Sequence, residues 1–247
     1  YVQGKLEEAE ISLRKAIELK PDFVEAYSNL GSTLRLLGKL EEAEIFQRKA
    51  IELKPNFAEI HSNLGNVLKD LGNLKDAEFS TSKAIEINPD LAEAHSNIGS
   101  VFRDLGKLQE AELSLRKAIE LNPDLAEAHS NLGVILNDLG QLQEAELSTR
   151  KAIELNPDFA NAHSNLGNIL IDLGKLNEAE LSTRQAIKIK PDLAEAHLNL
   201  GSILRDLGNL QDAELSTRKA IELNPDFANA HSNLGNVLRD LGQLQDA

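Results

Sequence analysis

AEAHSNIGSVFRDLGKLQEAELSLRKAIELNPDL, residues Ala92–Leu125, contains two helices and two stops. Ala94, Ile98, Val101, Phe102 and Leu105 recur at helical spacing, which predicts an amphipathic first helix. Gly106 then suits a left-handed C-terminal cap, where a Cβ would be penalised. Leu108, Ala111, Leu115, Ala118, Ile119 and Leu121 predict a second helix. Pro123 ends it, because proline donates no N–H and turns the residue before it away from helix. Asp124, with Glu127 three residues on, is expected to cap the next helix as a capping box. The same spacing recurs at Asp22–Glu25, Asn56–Glu59, Asp90–Glu93 and Asp192–Glu195.

The stretch is one copy of many. The seven prolines, Pro21 to Pro225, lie 34 residues apart. The glycines fall on the same period as pairs seven apart, Gly31/Gly38 through Gly235/Gly242, with Gly4 left over from an earlier pair. An isolated hairpin cannot bury its apolar stripe, so stacking of neighbours must supply the core. The expected fold is all-α, a right-handed α-solenoid (superhelix) of 34-residue antiparallel helix hairpins. The expected organisation is a single array over 1–247. A partial repeat at 1–23 (second helix only) precedes six full repeats, 24–57, 58–91, 92–125, 126–159, 160–193 and 194–227, and a partial repeat at 228–247 follows. The columns Ala9 to Ala247 and Gly31 to Gly235 are small, as close helix crossings require. The column Ile17 to Ile221 is bulky throughout and is expected to fill the core.

Composition removes several classes of function. The 247 residues carry a net charge of −14, which disfavours nucleic acid and anionic membrane surfaces as partners. Without cysteine there is no disulfide or thiolate chemistry. No apolar run is long enough to span a membrane. The chain also lacks methionine, so Tyr1 is not a translation start and the chain reads as a piece or a processed form. The compartment is undetermined, cytoplasmic only by default.

The period, the small columns and the motif N-L-G resemble the tetratricopeptide repeat. That motif stands at Asn29–Gly31, Asn63–Gly65, Asn131–Gly133, Asn165–Gly167, Asn199–Gly201 and Asn233–Gly235, with N-I-G at Asn97–Gly99. The resemblance covers the whole chain. It departs where the family has a large aromatic early in the first helix, which here is Tyr27 once and histidine thereafter. The tyrosine that normally follows the glycine is leucine or Phe102. The resemblance implies a protein-binding array whose first helices line the concave face, where an extended peptide or partner protein lies.

Along that face the column Asn29, Asn63, Asn97, Asn131, Asn165, Asn199 and Asn233 is the candidate peptide-binding row. An Asn amide can take a peptide N–H and C=O together, and asparagine is a poor residue for a helix interior without a reason. Packed helices stand about 8–10 Å apart and an extended chain advances about 3.3 Å per residue, so one Asn would meet every third ligand residue. The pattern resembles the asparagine ladder of O-GlcNAc transferase-like repeat regions. The alternative is that each Asn bonds a neighbouring repeat and holds the stack. Arg35, Lys69, Arg103, Arg205 and Arg239 form a parallel basic column, either a solvated stripe or a selector for a mixed-charge peptide. Val134, Ile171 and Leu198 interrupt the polar lining and are a candidate apolar pocket, with random drift as the alternative. Chaperone-tail clamps of the family place basic residues where this chain has Glu25, Glu59, Glu93, Glu127, Asn161, Glu195 and Asn229, so a carboxylate clamp is not expected.

His61, His95, His129, His163, His197 and His231 form one column at helix spacing, which cannot converge on a metal ion, so each is expected at an inter-helix seam. The Glu/Arg pairs four apart on the second helices, Glu10/Arg14 through Glu214/Arg218, are surface pairs. No phosphate loop, catalytic triad or nucleophile elbow occurs, and no cofactor is implied. The expected function is a non-enzymatic interaction scaffold that binds an extended peptide through the Asn row. Two readings stay beside it: the substrate-recognition part of a glycosyltransferase-like enzyme, and a self-assembling or consensus-like array stacking into an end-to-end homo-oligomer.

Overall fold

The computed structural model describes residues 2–245, with the side chains of Val2 and of residues 243–245 left aside. Ala247, the last member of the alanine column, lies outside the described residues. The fold is an all-α solenoid, with fourteen helices among the described residues. The chain divides into two compact units, Tyr1–Pro123 and Asp124–Ala247.

The first unit holds α1 (Val2–Leu19) and three hairpins: α2 (Val24–Leu36) with α3 (Leu40–Leu53), α4 (Ala58–Asp70) with α5 (Leu74–Ile87), and α6 (Ala92–Asp104) with α7 (Leu108–Leu121). The second unit holds α8 (Ala126–Asp138) with α9 (Leu142–Leu155), α10 (Ala160–Asp172) with α11 (Leu176–Ile189), α12 (Ala194–Asp206) with α13 (Leu210–Leu223), and α14 (Ala228–Gln245). Each second helix packs on the first helix that follows it within its unit. Consecutive first helices also touch, α2 on α4 and α4 on α6, then α8 on α10, α10 on α12 and α12 on α14. Each unit therefore has a continuous layer of first helices.

The turn inside each hairpin is the one glycine dictates. Gly106 has φ +75, and its N–H bonds the Arg103 carbonyl at 2.8 Å while the Lys107 N–H reaches back to Phe102 at 2.8 Å. That pair of bonds is a Schellman motif, which satisfies carbonyls the helix end would leave open. In α14 the helix instead runs on through Gly242.

The start of each first helix corrects the capping-box expectation. The cap positions are Phe23, Phe57, Leu91, Leu125, Phe159 and Leu193, and none makes a side-chain cap bond. A turn closes first, with Phe23 N–H bonding Lys20 at 3.1 Å and Phe159 N–H bonding Asn156 at 3.1 Å. Pro–Asp occupies the middle of that turn, so the helix begins one residue later than the acidic residue suggests. The apolar cap residue serves as packing: Leu91 lies against Ala58, Ala84 and Ala94.

Each hydrophobic cluster draws on consecutive repeats. Leu64 and Leu68 of α4 meet Ala77 of α5 and Val101 of α6, with Ile51 of α3 at the edge. Leu166, Leu170, Ala179 and Ile203 repeat the arrangement in the second unit, with Ile153 at the edge. The isoleucine column is thus half-buried at cluster margins, and the fully enclosed large side chains come chiefly from first helices.

Glycine is required where the two helices of a hairpin cross. A Cβ built on Gly99 would stand 2.7 Å from Leu115 Cγ, and one on Gly31 would stand 2.7 Å from Gln47 Nε2. On Gly65, Gly133, Gly167 and Gly201 it would overlap the hydroxyl of Thr81, Thr149, Thr183 and Thr217.

Candidate functional site

The Asn residues sit mid-helix in the first-helix layer of each unit. In the first unit Asn63 Nδ2 donates to Ser28 Oγ at 3.2 Å and Asn97 Nδ2 to Ser62 Oγ at 2.8 Å. In the second unit Asn165 donates to Ser130 and Asn199 to Ser164, both at 3.2 Å. Each bond runs to the preceding first helix, 35 residues back, and clasps neighbouring repeats together. The serines are buried, while these four asparagines are half-buried. Asn131 is half-buried as well, and Asn29 is exposed. The bond spends one of the four hydrogen-bonding positions of the amide, so Oδ1 and the second N–H of a clasped Asn keep a fixed direction. A side chain held this way meets a ligand with its rotamer already chosen.

The clasp pattern changes at Asn233. Leu198 occupies the serine position that Asn233 would use. Asn233 turns instead to Ser202 Oγ at 2.6 Å, is only 8% exposed, and leaves its Oδ1 enclosed without a hydrogen-bond partner. Leu198 and Asn233 face a cleft of about 330 Å³ between α12 and α14, with Asn199, Ser202, Arg205 and Asn236 around it.

The basic column is partly spent on acids. Arg35 reaches forward to Asp70 at 2.8 Å, and Asn137, in the same column, reaches Asp172 at 3.0 Å. Ile171 cannot donate to Asp206, and there Arg205 of the same helix pairs with Asp206 at 3.0 Å. Arg103 and Arg239 likewise hold their own neighbours Asp104 and Asp240, at 3.1 and 3.2 Å. Lys69 is half-buried in the last turn of α4. Of the three apolar interruptions, Leu198 lines the α12/α14 cleft, Ile171 packs against the Leu166–Leu170 cluster, and Val134 is half-buried on α8.

The histidines tie joints. His61, His95, His163, His197 and His231 place Nε2 2.8–2.9 Å from the carbonyls of Pro55, Pro89, Pro157, Pro191 and Pro225. A carbonyl only accepts, so Nε2 carries the proton. Tyr27 does the same work with its hydroxyl, donating to the Pro21 carbonyl at 3.2 Å. The described residues hold no group of histidine and acidic side chains suited to a metal ion. No described helix is long and apolar enough to cross a membrane.

The second helices show what sequence reasoning missed. Ile11, Ile45, Phe79 and Leu113 in the first unit, and Leu147, Leu181 and Leu215 in the second, are 65–76% exposed. The signal was available as a 34-residue apolar column off the core stripe. All six Glu/Arg pairs four apart form. Two of them extend into networks. Lys39 and Arg14 hydrogen-bond Glu10, and in the second unit Lys175 and Arg150 hydrogen-bond Glu146, holding both carboxyls below the usual carboxylate range.

Family comparison agrees with this architecture. Models described as TPR repeat match residues 1–38, 99–140 and 167–208, and models described as tetratricopeptide repeat match 24–57, 58–91, 126–159, 149–180, 194–227 and 217–247. The chain belongs to the tetratricopeptide repeat family. Comparison with curated proteins gives no match. Among solved structures, the chain is similar to one from the Cut9–Hcn1 hetero-tetramer of the APC/C, with a TM-score of 0.85 and 17% identity over 95% of this chain. It spans 46% of that chain's length. A tetratricopeptide repeat protein from Parabacteroides merdae matches with a TM-score of 0.72 and 22% identity, covering 95% of this chain and 93% of that one. YrrB, described as a TPR protein with an unusual peptide-binding site, matches with a TM-score of 0.54 and 27% identity, covering 75% of this chain and 96% of YrrB.

Proposed function

We propose that the chain is a protein-interaction scaffold that holds an extended peptide or peptide-like segment of a partner protein along its first-helix layer. The observation that carries this reading is the clasped asparagine, recurring at Asn63 and Asn97 in one unit and at Asn165 and Asn199 in the other. Holding the stack explains one N–H of each amide. It leaves the amide's Oδ1 acceptor and second N–H over for another partner. A peptide bond presents the matching donor and acceptor whatever its side chain, so the row reads backbone and tolerates sequence. The family and the peptide-binding description of YrrB support the same direction.

The test is fluorescence anisotropy with labelled unstructured peptides on the chain and on Asn63→Ala/Asn97→Ala and Asn165→Ala/Asn199→Ala variants, with circular dichroism to check folding. Binding by the parent that weakens in both variants is the expected result. Unchanged affinity in folded variants would remove the Asn row from the binding surface.

A further inference from the structure

Where the asparagine clasp changes, at Asn233, a cleft opens. Among the serines that clasp a following asparagine, Ser28, Ser62, Ser130 and Ser164 keep the pattern, and at the next position stands Leu198. Two consequences follow from that exchange. Asn233 lacks the serine its row uses, turns to Ser202 one turn beyond Leu198 on α12, and is left with an enclosed, unpaired Oδ1. A buried carbonyl without a donor is destabilising until a donor reaches it. At the same place Leu198 puts an aliphatic wall into a lining that is otherwise polar, with Asn199, Ser202, Arg205, Asn233 and Asn236 among it.

We propose that the α12/α14 cleft is a specificity pocket, which seats one aliphatic side chain of the bound peptide against Leu198 while a backbone N–H of that peptide bonds Asn233 Oδ1. The proposal rests on the scaffold reading above and adds a selection rule to a row that otherwise reads only backbone. The volume fits. A water takes about 30 Å³ of liquid, so 330 Å³ holds on the order of ten waters, room for a branched side chain with its flanking peptide groups. The terminal torsion of an asparagine is soft, so the Asn233 amide can rotate to turn Oδ1 toward a donor in the cleft, exchanging its bond to Ser202 for one to the peptide. The cationic wall is already neutralised, because Arg205 pairs with Asp206, and so the pocket favours an uncharged guest.

The experiment uses fluorescein-labelled nonapeptides of an alanine–glutamine host with Gly, Ser, Asp or Leu as the central guest, titrated by anisotropy against the full chain. Burying a leucine side chain predicts that the Leu guest binds the parent at least about tenfold tighter than the Gly guest. Leu198→Ser installs the residue used at this position in the other repeats, so it restores the clasp to Asn233. It is expected to shrink the Leu-over-Gly ratio to within about twofold while Gly-guest binding persists. Leu198→Ala serves as the second variant if the first does not fold by circular dichroism. A Leu preference that survives both substitutions overturns the pocket. Equal binding of all guests by the parent, weakened by Asn63→Ala/Asn97→Ala, overturns the pocket and leaves the scaffold standing. No binding of any guest overturns both.

Discussion

The two units use the same crossing glycines and answer them differently. In the first, Gly31, Gly65 and Gly99 face Gln47, Thr81 and Leu115; in the second, Gly133, Gly167 and Gly201 all face threonine. An amide, a hydroxyl and a plain aliphatic group thus fill the same gap, each fully buried. What is held constant is the approach of two backbones, with the facing side chain free to vary so long as the glycine has no Cβ. The polar row inverts the comparison. It keeps clasps at Asn63 and Asn97 in the first unit and at Asn165 and Asn199 in the second, and only the second also carries the apolar exchanges Leu198 and Ile171 in its polar lining. Packing tolerates exchange on the partner side of the glycine, whereas the exchange at Leu198 sends the facing Asn233 to a different partner, Ser202.

The largest effect should come from breaking the crossing itself. Gly99→Ala drives a Cβ against the Leu115 branch point and should cost about 1–3 kcal/mol by overpacking. Gly235 occupies the same column with nothing within 4 Å of such a Cβ, so Gly235→Ala should stabilise by about 0.5–1 kcal/mol through helix propensity. Thermal melts of the two variants must move in opposite directions, and a shared direction would reject the close-approach account.

Next come the threonines opposite the glycines. Thr149 Oγ1 donates to the Ala145 carbonyl at 2.9 Å, while the buried Thr183 Oγ1 has no hydrogen-bond partner. Thr183→Val should therefore be neutral or stabilising by about 1 kcal/mol, and Thr149→Val should lose about 0.5–1.5 kcal/mol. Denaturation midpoints that rank the two the other way would contradict the assignment of partners.

A comparable but smaller contrast lies in the row of amides. Asn97→Ala removes the clasp to Ser62 and should cost about 1 kcal/mol, whereas Asn29→Ala, at an exposed position, should stay within about 0.5 kcal/mol. Hydrogen exchange of α4 and α6 amides reports the difference locally, and equal protection in both variants would deny the clasp any structural weight.

The smallest effect is the pH dependence of the carboxylate networks. Glu146 ionises more readily in the fold than in the unfolded chain because Lys175 and Arg150 hydrogen-bond it. Its contribution is fully present above the ordinary carboxylate range, and it is lost as pH falls through the depressed folded value. Glu146→Gln should make stability less steep on acidification below about pH 5, and an unchanged slope would mean the pair is too solvated to matter.

Much of this fold was legible because its punctuation residues act locally. Pro123 and Gly106 stop helices by their own backbone chemistry, so their 34-residue spacing needed no tertiary information. Glu146 and Arg150 meet across one helical turn for the same reason. Helix starts misled because Pro–Asp could be read as a cap or as the middle of a turn, and the turn closes first. Clasps such as Asn97 to Ser62 span 35 residues, one more than the period, and only stacking reveals which residue lies beside which. The role of Leu198 could not be read from its own type, since its effect falls on Asn233.

The histidine-to-proline ties have a spectroscopic consequence. Five imidazoles, each bonded through Nε2 to the carbonyl of a proline six residues earlier, amount to internal reporters in five different repeats. Nitrogen-15 chemical shifts of the rings should therefore show one common tautomer in the folded chain. Under gradual denaturation the signals should change joint by joint, giving a readout of which repeat opens first in a chain with no tryptophan to follow by fluorescence.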